Sequence, residues 1–128
     1  MDDVLSEIGR DLRGAEEMMK SLLSGAAAEK EPPDERRVWP VYLAVEKSIA
    51  LLKLRLSVER PGRFVVTRKS LEEDWTLLLE RASKALPEGL RFLEEGSLNE
   101  ALESLRTSRN CLRSYLRDRR RVRLRPLN

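Results

Sequence analysis

The residues best equipped for chemistry are nine arginines crowded into one stretch: Arg106, Arg109, Arg113, Arg117, Arg119, Arg120, Arg121, Arg123 and Arg125. Asp118 is the one acidic residue among them, so the stretch carries +8 in a chain whose total is +3, and the rest sums to −5. Every basic group there is a guanidinium, whose planar fork of donors matches phosphate or carboxylate two bonds at a time. Positions 106, 109, 113, 117 and 120 fall at three- and four-residue steps, which lines them along one edge of a helix. A basic ridge on an acidic body is suited to tracking the phosphates of a nucleic acid, with affinity that falls as salt rises. It is equally suited to docking on an acidic protein. The same arginines also have a purely local use, since cations at a helix C-terminus favour the dipole and can pair with the acidic body. Tyr115 is the only aromatic within the stretch, so base stacking is poorly supplied and contact is expected at phosphate, not at particular bases. Val122, Leu124 and Leu127 alternate with arginines, as an arm added to a partner chain would.

Catalytic alternatives find little support in the residue types. The chain has no histidine and a single cysteine, Cys111, which excludes an internal disulfide and the common zinc sites. With no imidazole to draw off its proton, Cys111 reads as a small core residue. Glu72, Glu73 and Asp74 cluster where a helix should start, the ordinary place for acidic side chains. No glycine-rich phosphate loop is present, and no cofactor is expected.

The elements that must position the arginines are helical. The stretch Val38–Val58 holds fourteen apolar residues in twenty-one, with charge only at Glu46, Lys47, Lys53 and Arg55. Val38, Tyr42, Val45, Ile49, Leu52 and Leu56 make one face, and Leu43, Ala44, Leu51, Leu54 and Val58 a second, so this helix is expected innermost, enclosed by neighbours. Its four charges speak against a membrane span. Before it, Leu5, Ile8, Leu12, Ala15, Met19 and Leu22 form a narrow stripe from Asp3 to about Ser24, with Gly25 as a stop and Pro32-Pro33 in a linker. After it come a turn at Arg60-Pro61-Gly62, a short extended piece at Phe64–Val66, and a capping box Ser70-x-x-Glu73 that opens a third helix. Leu71, Trp75, Leu78, Ala82 and Ala85 are its buried face, and Pro87 should break or bend it. Gly96 and a second capping box, Ser97-x-x-Glu100, open the last helix, Leu98 to Arg121, with Leu98, Ala101, Leu102, Leu105, Leu112, Tyr115 and Leu116 facing inward.

The pattern predicts an all-α, up-down bundle of four principal helices with a hydrophobic central helix. Residues 1–121 form one domain and 122–128 a basic C-terminal tail. Surplus apolar surface suggests a homodimer. Charged residues are 37% of the chain, Gln is absent and Asn occurs three times, a composition typical of thermophile proteins. The acidic amphipathic start, MDDVLSEIGRD, lacks the order of a secretory signal, which predicts a cytoplasmic protein.

Ser108-Arg109-Asn110-Cys111-Leu112-Arg113-Ser114-Tyr115 resembles the motif of the HEPN superfamily, small all-α bundles whose last long helix carries Arg, a polar residue and then His. Arg109 and Asn110 match its opening, and the layout from Val38 to Tyr115 is similar. Where the family's ribonucleases place histidine, this chain has Arg113, Ser114 or Tyr115. Without imidazole the family's RNA cleavage does not carry over. The resemblance then implies a non-catalytic member, of a toxin-antitoxin type system, with a side-by-side dimer and RNA contact through Arg109. The three expectations are thus a nucleic-acid-binding module, a protein-binding assembly subunit, and this HEPN-like protein.

Overall fold

The computed structural model describes residues 3–56 and 74–124, with side chains as far as Val122. These residues form four helices: α1 (Asp3–Glu29), α2 (Glu35–Leu56), α3 (Trp75–Glu94) and α4 (Leu98–Leu124). No strand occurs among the described residues. The turn at 60–62, the extended piece at 64–66 and the capping box at Ser70 lie outside them.

In α1 the narrow stripe is buried as the spacing predicts, from Ile8 through Leu12, Ala15 and Met19 to Leu22. Gly25 does not stop it. Ala26, Ala27 and Ala28 follow, and the preference of three alanines for helix outweighs a glycine's cost of about 1 kcal/mol, all the more because Ala26 is buried. The helix ends where Lys30 adopts a positive φ of 56° and its N–H reaches the Ala26 carbonyl at 2.7 Å. Asp34 then starts α2, its Oδ1 accepting from the Arg36 N–H at 2.9 Å. Pro40 sits inside α2 on an exposed side, where water can reach the Arg36 carbonyl that loses its helical donor.

Asp74 caps α3 by accepting from the Thr76 N–H at 3.1 Å. Pro87 neither breaks nor ends this helix, which continues to Glu94 because Leu86, Gly89, Leu90 and Leu93 are all buried beyond it. Gly96, at φ 80°, closes α3 by donating to the Leu93 carbonyl while Ser97 donates to Phe92. Helix α4 overruns the expected end at Arg121 and stays helical to Leu124, so Val122 and Leu124 are not part of an extended arm.

Helices pack as the pairs α1–α2, α2–α4, α4–α3 and α3–α1, with α1/α4 and α2/α3 on the diagonals. Each packed pair is antiparallel: Glu7 meets Lys47, Glu46 meets Arg109, Ala82 meets Ser108 and Arg13 meets Glu94. The predicted four-helix bundle is therefore observed, but the up-down order is corrected: α2 and α3 run in the same direction, because both pack antiparallel to α1 and α4. Leu56 and Asp74 accordingly lie at opposite ends of the bundle.

The interior is shared by all four helices, with Ile8, Leu12, Met19, Val41, Val45, Leu52, Leu79, Leu86, Leu105, Leu112 and Tyr115 fully buried. The enclosed position expected for α2 is corrected. Among the described elements, α2 has neighbours on two sides, α1 and α4, and occupies a corner. Of its second apolar face, Leu43 and Leu54 lie at the surface, 57% and 76% exposed, while Ala44 and Leu51 are partly buried against the core. In the hydrophobic face Val41 and Ser48 replace Tyr42 and Leu56 as fully covered residues.

Candidate nucleic-acid interface

The rotation of α4 about its axis decides which arginines reach solvent. Two bonds set it. On one side the buried Ser108 Oγ donates to the Ala82 carbonyl of α3 at 3.0 Å. On the other, the buried Tyr115 hydroxyl donates to the Pro33 carbonyl just before α2. Burial pushes the Tyr115 phenol up to about 12, with nearby Asp34 and Glu35 adding to the rise and Arg119 opposing it. Tyr115 is thus a core residue, closed to any ligand.

With α4 held this way, the edge carrying positions 106, 109, 113, 117 and 120 turns outward along α2. Arg113, Arg117 and Arg120 are exposed and Arg106 is half-buried. Arg109 is the best covered, its side chain 14% exposed, with Nε 3.5 Å from Glu46 Oε1 and donating to Asn110 Oδ1 at 3.2 Å. Arg121 is also exposed and lies four residues after Arg117, about 40° from it around the helix, at the margin of the same edge. Arg119 leaves the ridge altogether: its guanidinium lies over the Tyr115 ring, 5.8 Å from the centroid, and its Nε is buried without a hydrogen-bond partner. Arg123 is helical, with its side chain outside the described region, and Arg125 lies beyond that region. The structure therefore brings five of the nine predicted residues onto one edge, with Arg121 at its margin, and sends Arg119 elsewhere.

Arg109 is, among the described residues, the member of the stretch that pairs with a carboxylate of the body, Glu46. Among the described residues, Arg106, Arg113, Arg117, Arg120 and Arg121 form no ion pair. Body carboxylates are engaged by other cations, at Arg13–Glu94, Lys20–Glu16, and Lys47 with Glu7 and Asp11.

Beside the ridge, α2 contributes something that a search within the arginine stretch misses. Trp39 and Tyr42 meet edge to face, centroids 5.3 Å apart at 85°. Burial and then Glu46 raise the Tyr42 phenol, while Arg113 and Arg109 pull it down. The sequence signal for this cluster was present: Trp39, Tyr42 and Glu46 fall at three- and four-residue steps, the spacing of one helix edge. What sequence spacing lacks is the helix pairing that sets this edge against Arg109 and Arg113.

No family model, curated protein or solved structure matches this chain.

The site is therefore described by its own chemistry. Guanidinium groups at helical spacing, next to an aromatic pair, have the chemistry to meet anions and flat rings. Asn110, which with Arg109 carries the HEPN resemblance, is exposed, and of the positions where that family places histidine, Arg113 is exposed, Ser114 half-buried and Tyr115 buried. Cys111 is partly buried against the core. No group of three or more metal-ligating side chains occurs among the described residues, and none of their helices is long and apolar enough to cross a membrane.

Proposed function

We propose that this protein is a non-enzymatic module that binds nucleic acid along the α4 ridge, through phosphate and without strong sequence preference. The observation that carries the reading is the state of the ridge. Arg106, Arg113, Arg117 and Arg120 share one edge and find no carboxylate among the described residues. From Arg106 to Arg120 the ridge spans about 21 Å at ~1.5 Å per residue. Four phosphate contacts give a salt slope of about −3 on a single strand, so raising salt from about 50 to 200 mM should weaken binding about 50-fold. Fluorescence anisotropy with labelled mixed-sequence oligonucleotides reads this directly. Absence of binding at about 50 mM salt, where phosphate contacts are strongest, removes the proposal.

A second reading rests on Leu43 and Leu54, exposed on the outer side of α2. Large apolar side chains left in water suit a protein-binding or assembly role, with a homodimer through α2 as the simplest form. Sedimentation of Leu43→Glu and Leu54→Glu variants tests it, because dimers made by this face would become monomers. The HEPN-like version would instead set Arg109 of two chains face to face, and an Arg109→Cys cross-linking experiment separates the two geometries.

A further inference from the structure

Trp39 is an anomaly that phosphate binding alone does not use. It is 43% exposed, whereas Tyr115 is fully buried and Trp75 packs against the core. An indole buries a large apolar area when it can, so one left half in water beside a cationic ridge invites a flat partner. Resting on the nucleic-acid reading above, we propose that the ligand is single-stranded and that one of its bases stacks on Trp39 while the neighbouring phosphates lie on Arg113 and Arg117.

Three observations converge on this arrangement. The first is register. Glu46 lies opposite Arg109 and the Tyr115 hydroxyl reaches Pro33, so α2 and α4 run antiparallel and, two helical turns back from Glu46, Trp39 comes about level with Leu116 and Arg117. The second is the edge-to-face contact with Tyr42. Such a contact uses one edge or one face of the indole, and in either case at least one π-face is left for another ring. The third is width. The ridge and Trp39 belong to two helices side by side, and packed helix axes are about 8–10 Å apart, so the combined face is too broad for a major groove about 12 Å wide. A duplex could touch this face only with its backbone. An unpaired base, by contrast, offers a free π-face, and stacking of this kind accepts every base.

Charge selects the occupant. The exposed cations of the ridge ask for a chain of regularly spaced anions, and the indole asks for a ring within reach of them. An acidic peptide supplies the anions but not the regular ring, so it is an outcome of the test and not the proposal.

The full-length chain would be titrated at about 50 mM salt with a labelled mixed-sequence single strand of about twelve nucleotides, as DNA and as RNA, and with the matching duplex. A labelled oligo-glutamate peptide is the control. Wild type should prefer the single strand. Trp39→Ala and Trp39→Leu should each weaken single-strand binding about fivefold or more and leave the duplex unchanged, while Trp39→Phe should keep most of the affinity. Unchanged melting temperatures would show that all three variants fold, as expected for a residue outside the core. If Trp39→Ala has no effect on the single strand, or weakens both forms equally, stacking is wrong and the phosphate reading stands. If only the peptide binds, or nothing does, both are wrong.

Discussion

Helix α4 makes two contacts of different character. Against α3 it is closely packed and its buried polar group is satisfied: Ser108 Oγ reaches the Ala82 carbonyl, and a Cβ added at Gly89 would come 3.1 Å from Leu105 Cδ2. Against α2 it is polar and incompletely matched. Glu46 Oε1 is buried with no hydrogen-bond partner although Arg109 lies 3.5 Å away. Unmatched polar groups cost stability, so a contact that keeps them is not built for stability alone. The difference assigns the roles: α3 anchors α4, and the α2 side presents its arginines.

The strongest way to break that contrast is to attack the anchor. Gly89→Val should destabilise the fold by about 1–3 kcal/mol in denaturant unfolding, since the added carbons meet Leu105 and Ser104. A loss well under about 1 kcal/mol would show that α3 and α4 can separate at little cost. Next comes the pin between α4 and the start of α2. Tyr115→Phe should cost about 1 kcal/mol near neutral pH by removing the bond to Pro33. Its pH dependence has a fixed sign. Burial raises the Tyr115 phenol from 10.0 to about 12, so its contribution is complete below pH 10 and is lost as pH climbs towards 12. Wild type should therefore lose more stability than Tyr115→Phe across that window. The smallest effect is a difference of sign between two buried serines. Ser108→Ala should destabilise by about 1 kcal/mol, whereas Ser48→Ala, which deletes a hydroxyl with no partner and improves helix propensity, should stabilise by about as much.

Much of the anchor was legible in the chain, because a residue's own helix determines it. The stripes of α1 and α4 were read almost residue by residue, as narrow apolar faces with three- and four-residue steps must be. Helix ends were harder. Gly25 and Pro87 look like stops, yet burial of Ala26 and of Leu86, Leu90 and Leu93 carries both helices through them. The outer face of α2 misled for a different reason: periodicity shows that Leu43 and Leu54 share a side, but not whether anything covers it. The candidate site was half visible. Arginine spacing gave the ridge on α4, whereas Trp39, Tyr42 and Glu46 join it only through packing between segments far apart in the chain, which no local pattern encodes. Arg119 was the reverse case, a predicted ligand that turns onto Tyr115 instead.

The central claim is that the α2 side of α4 is kept open for phosphate, and the slope of log affinity against log salt tests it most directly. Wild type should give a slope of about −3 on a single strand, and Arg113→Ala/Arg117→Ala/Arg120→Ala should flatten it to about −1 with an unchanged melting temperature. A triple variant that binds with the same slope as wild type would contradict the account.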